Sequence, residues 1–81
     1  MVLQQFLDFI ETEDVQLKLL LKSKLVRSIS TTKLDLDEEN EERIKKLIIN
    51  TVQRYADTSD PALKLALQEH YKTLEKIIRY C

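Results

Sequence analysis

The residues of this chain predict an all-α fold of about four antiparallel helices, and three observations carry that reading. The chain has 81 residues, 43% hydrophobic and 33% charged, with no Gly and a single Pro. Such a composition favours helix formers and is too apolar for a disordered chain. Apolar residues recur at spacings of three and four along four successive stretches, the period of one helix face. Short segments rich in Ser, Thr and Asp separate those stretches, and such residues bond to nearby backbone and end helices.

The first helix runs from Val2 to Ile10, where Leu3, Phe6, Leu7 and Ile10 fall on one side and Val2 and Phe9 widen the stripe. In the "ETED" that follows, Thr12 or Asp14 can accept hydrogen bonds from the free amides of the next helix. The second helix spans Val15 to about Ser30. It carries Leu17, Leu20, Leu21 and Leu25 on one side, with Val15, Leu19, Val26 and Ile29 on the adjoining side. So broad an apolar surface needs two packing partners. Lys18, Lys22, Lys24 and Arg27 stand among these leucines, and their stems can cover apolar surface while their heads reach water.

The stretch "SISTTKLDLDEENEE" is the longest interruption and reads as a loop followed by a cap, Asp35 or Asp37. Glu38, Glu39, Glu41 and Glu42 then occupy the first turns of the third helix, where the helix dipole favours negative charge. That helix shows one clear stripe: Ile44, Leu47, Ile48, Thr51, Val52 and Tyr55. "ADTSDP" ends it, with Asp60 as a natural N-cap and Pro61 suited to the first position of the fourth helix. The fourth carries Leu63, Leu67, His70, Leu74, Ile77, Ile78 and Cys81 on one side. Its apolar pattern is still running at the last residue, so further helices are expected downstream and residues 1–81 read as one unit of a longer chain.

Little in the chain points to chemistry. His70 and Cys81 are eleven residues apart on one helix with no second His or Cys, too far for a nucleophile pair and too few ligands for a metal. Without Gly there is no phosphate-cradling glycine motif. No catalytic residue, metal or cofactor is expected, and the chain reads as a non-enzyme. Thirteen basic against fourteen acidic residues leave a formal charge of -1, so no whole-chain field draws it to nucleic acid or an acidic membrane. No apolar run approaches the roughly 18 residues of a membrane span, and a lone cysteine suits a reducing compartment, with the cytoplasm as the expected location.

The string "NTVQRYADTSDPALKLAL", Asn50 to Leu67, resembles the N-terminal region of the general-control translational activators. These are very large HEAT-repeat proteins that work on ribosomes and relay amino-acid starvation to the kinase of initiation factor two. Arg54, Tyr55, Asp57, Ser59, Ala62 and Leu63 match the family's "RY", acid, polar turn and Ala-Leu opening. Upstream, "FLDFIETEDVQLKLLLKSKLVRSI" looks like the family's opening helices. The family often places basic residues after the turn Ser, where this chain has Asp60 and Pro61. The resemblance implies HEAT-like helical hairpins, an α-solenoid fragment, in a translational activator that associates with ribosomes. Under it, Lys18, Lys22, Lys24, Arg27, Lys45 and Lys46 are the expected partner or ribosome contacts, while Arg54, Tyr55, Asp57, Asp60 and Pro61 build the corner. The alternative is a self-contained helical interaction module or a homodimer joined through the exposed face of helix four.

Overall fold

Four helices account for nearly all of residues 2–78, which the computed structural model describes. They are α1 (Val2–Glu11), α2 (Val15–Thr31), α3 (Glu38–Thr58) and α4 (Pro61–Ile77). The all-α arrangement of two helical hairpins expected from the periodicity is present.

The corners work as their residues dictate. Asp14 caps α2, its Oδ1 accepting from the amides of Gln16 at 2.9 Å and Leu17 at 3.2 Å. Asp60 caps α4 in the same way through Ala62 N at 2.8 Å, with Pro61 just behind it. Asp37 stands at the α3 N-cap but makes no side-chain bond to the helix amides. Its Oδ1 accepts instead from Asn40 Nδ2 at 2.6 Å, and the first-turn acids Glu38, Glu39 and Glu41 complement the positive end of the helix dipole. The tight corner between α3 and α4 turns on Ser59, whose φ of 52° and ψ of 33° are left-handed. Its amide closes the last turn of α3 onto Tyr55 O at 2.9 Å, a job more often given to Gly.

Each helix packs on its chain neighbours, and α4 returns to pack on α1. The ring is therefore closed. The backbones of α1 and α3, and of α2 and α4, stay apart across the diagonals among the described residues; those are the pairs that face one another when hairpins stack as repeats. Side chains fill the middle. Phe6, Phe9 and Ile10 of α1 meet Leu25 and Ile29 of α2, while Ile48, Val52 and Tyr55 of α3 join Leu67 and Leu74 of α4. Ring contacts tie the layers together, Phe9 edge-on to Tyr55 at 5.8 Å and Phe6 tilted against Tyr71 at 6.2 Å between centroids.

The α2–α3 loop is less free than its polar composition predicts. Leu34 is buried and Leu36 half-buried against the core. Leu34 pairs with Ile78 in an isolated antiparallel bridge, and Asp35 N donates to Ile77 O at 2.6 Å. The loop thereby straps the end of α4 to the bundle. The radius of gyration, 11.9 Å, is close to the roughly 11.7 Å of a compact chain this long, so neither hairpin projects from the shared core.

Candidate interaction surface

The core direction of α2 is set by Lys18, Leu25 and Ile29, its three buried residues. Lys18 is the unexpected member. Only 3% of it is exposed, its ammonium donates to Ser59 Oγ at 2.8 Å, and it lies 4.3 Å from the centre of the Tyr55 ring. Its charge is held at the C-terminal end of α3, where the helix dipole and the ring face both favour a cation. The expectation that Lys18 belongs to a solvated basic edge is thus corrected. The reason is positional, because Lys18 shares a helix face with Leu25 seven residues on and Ile29 eleven on.

The other expected contacts divide between two helices. On α2, Lys24 and Arg27 are exposed and Lys22 is half-buried; Lys24 and Arg27 border a shallow depression with Gln5, Ser23 and Ser28. On α3, Lys46 is exposed. Lys45 is engaged, pairing with Glu41 at 2.9 Å and donating to Ser30 O at 3.2 Å. At the corner, Tyr55 is buried, Asp60 caps, and Arg54, Asp57 and Pro61 face solvent.

The expected dimer face on α4 lies elsewhere in the fold. Leu67 and Leu74 are core, and Leu63, Tyr71, Ile77 and Ile78 pack against them half-buried, because α4 folds back on α1. Leu65 alone among the large apolar residues of α4 is well exposed. Cys81 lies outside the described residues.

Leu47, expected in the apolar stripe of α3, stands exposed as Leu65 does, but the densest apolar exposure among the described residues is the first half of α2. Val15, Leu17, Leu19 and Leu20 are 62%, 45%, 42% and 55% exposed, although α2 has both α1 and α3 as partners. The first seven residues of the helix, "VQLKLLL", are apolar nearly all round, a pattern that fits a helix covered on every side. Its two neighbours leave four of its large apolar side chains in the open. All the charged residues of α2 are basic, whereas Glu11, Glu13 and Asp14 cluster just before it.

Elsewhere the described residues offer little to catalysis. No group of three His, Cys, Asp or Glu able to hold a metal is found among them, and no helix is long and apolar enough to cross a membrane. His70 is half-buried between α3 and α4, with Thr51 Oγ1 at 3.5 Å from Nε2. Burial strips water from the imidazole and pushes its pKa below the usual 6.5. The Thr51 hydroxyl proton is directed to Leu47 O at 2.9 Å, so toward His70 the Thr51 oxygen can only accept.

No family model matches this chain, and no curated protein or solved structure matches it either.

Proposed function

We propose that the chain is a non-enzymatic helical interaction module whose contact surface is the outward side of the first half of α2. One observation carries the reading: four large apolar side chains stand exposed within six consecutive residues of a helix already packed on two neighbours. Large apolar side chains crowded in the open on one short stretch of a small bundle mark a place where another protein binds. The basic residues Lys24 and Arg27 beyond it supply a polar rim.

A photo-crosslinking residue in place of Leu20 tests this in cells. Discrete protein adducts that vanish with Leu17→Ser, and that a probe at the exposed Gln53 of α3 does not form, are expected. No adduct from position 20 would overturn the reading.

A second reading is association with ribosomes as the N-terminal solenoid segment of a cytoplasmic translational activator in amino-acid-starvation signalling. It draws on the likeness of the corner and on the acid-free α2, whose exposed Lys24 and Arg27 suit phosphate. Its test is co-sedimentation with purified ribosomes across a salt series, with binding expected to fall as salt rises and on neutralising Lys24 and Arg27.

A further inference from the structure

The outward side of α2 carries one line of exposed residues: Leu17, Leu20, Lys24, Arg27 and Thr31, spaced by threes and fours. Its first half is apolar, with Leu17 45% and Leu20 55% exposed, and its second half is basic through Lys24 and Arg27. No acid stands on α2, and neither Lys24 nor Arg27 makes an ion pair among the described residues. Both border a shallow depression completed by Gln5, Ser23 and Ser28, whose amide and hydroxyl groups can donate to carboxylate oxygens. At the other end of the helix the sign reverses, because Glu11, Glu13 and Asp14 stand exposed in and beside the turn before α2. Val15 and Leu19 lie off this line, on the stripe that continues through Lys22 and Val26.

We infer that this line docks an acidic amphipathic helix of another protein, laid antiparallel along α2 with carboxylates in its first turns over Lys24 and Arg27 and apolar side chains in the following turns over Leu17 and Leu20. The inference rests on the interaction-module reading and gives its occupant a chemistry. Two exposed cations without acidic partners call for acids across the interface, and the leucines beside them call for apolar anchors. From Leu17 to Arg27 the line is about 15 Å long at the helical rise, so a partner of about three turns covers it. Direction follows from the dipoles. Carboxylates are favoured in the first turns of a helix, and an antiparallel partner brings those turns beside Lys24 and Arg27. A parallel partner would carry its acids in its last turns, against its own dipole. Glu11, Glu13 and Asp14 repel acids at the other end, which fixes the register. A second α2 does not fit, having no acid to set against the bases. A lipid surface takes a helix whose apolar and basic groups lie on opposite faces, whereas here the two follow one another along a single line, an order that a helix laid lengthwise matches.

Selection from a display library tests it, with the whole chain as target and short peptides on an alanine-rich helical frame, randomised at positions spaced by threes and fours, as probes. Asp and Glu are expected in the first turns of the selected peptides and Leu, Ile or Phe in the later ones, with binding that falls as salt rises. Leu17→Ser/Leu20→Ser should weaken a selected peptide at least about ten-fold. Lys24→Glu/Arg27→Glu should weaken it about ten-fold, and a peptide with Lys at the selected acids should bind that variant more tightly than the parent. Leu65→Ser on α4 should change nothing, and circular dichroism verifies that each variant keeps its helix content. Vesicles of phosphatidylserine and phosphatidylcholine are expected to leave the chain in solution; vesicle binding lost with Leu17→Ser/Leu20→Ser would assign the line to a lipid surface and overturn the inference. Selected peptides without acids, or indifferent to Lys24→Glu/Arg27→Glu, would overturn the acidic partner and leave the interaction module standing. An empty selection beside protein crosslinks from position 20 would do the same. An empty selection with no crosslinks would remove both.

Discussion

Lys18 joins three parts of the molecule at one atom: its ammonium bonds the corner serine, covers the Tyr55 ring and meets the end of α3. A buried charge adds little net stability over an apolar side chain of the same shape. Lys18→Met, which keeps the stem, is therefore expected to stay within about 1 kcal/mol of the parent in denaturant unfolding. Lys18→Ala, which also empties the space under Tyr55, is expected to cost about 2 kcal/mol. Equal losses for both would mean that the ammonium contacts dominate. At His70 the sign of the pH dependence follows from desolvation. The folded pKa lies below the usual 6.5, so the unfolded chain binds the proton more readily. The contribution is fully present above 6.5 and is lost as pH falls below it toward the folded pKa. His70→Gln should flatten that part of the stability curve, and an unchanged slope in the variant would contradict the assignment. The burial of Lys18 was missed by reading it as a solvated charge, although its register with Leu25 and Ile29 carried the signal. Its partner Ser59 was not legible, because a contact between residues 41 positions apart leaves no trace in local periodicity.

At the scale of the elements, the caps were the most readable feature and the loop the least. Asp14 and Asp60 accept helix amides while Asp37 does not. Asp14→Ala and Asp60→Ala should therefore each cost about 1 kcal/mol. Asp37→Ala should cost less, its loss being confined to the bond from Asn40 and to first-turn electrostatics. Thermal unfolding of the three single variants ranks them, and an equal loss at Asp37 would contradict the geometry. The helices were legible because each apolar stripe obeys the 3.6-residue period; the strap from Leu34 to Ile78 was hidden because two leucines alternating with polar residues carry no period long enough to read. The breadth of the apolar surface on α2 predicted two partners, and α2 has two. That part of it stays bare was not legible, since the period tells which side of a helix is apolar but not how much of that side its neighbours reach.

For the whole molecule, closing the ring through α1 and α4 consumes the stripe on α4 that the sequence offered as a dimer face, and leaves the first half of α2 as the densest apolar exposure among the described residues. Fold and contact surface are then separable. Phe6, fully buried between α1 and the other helices, belongs to the fold, and Phe6→Ala should cost about 3 to 5 kcal/mol. Leu17 and Leu20 belong to the surface. The measurement that tests this division most directly is denaturant unfolding of Leu17→Ser/Leu20→Ser beside Phe6→Ala. The double variant is predicted to unfold within about 1 kcal/mol of the parent, as exposed substitutions do. A loss comparable to that of Phe6→Ala would make those leucines part of the core and contradict the account.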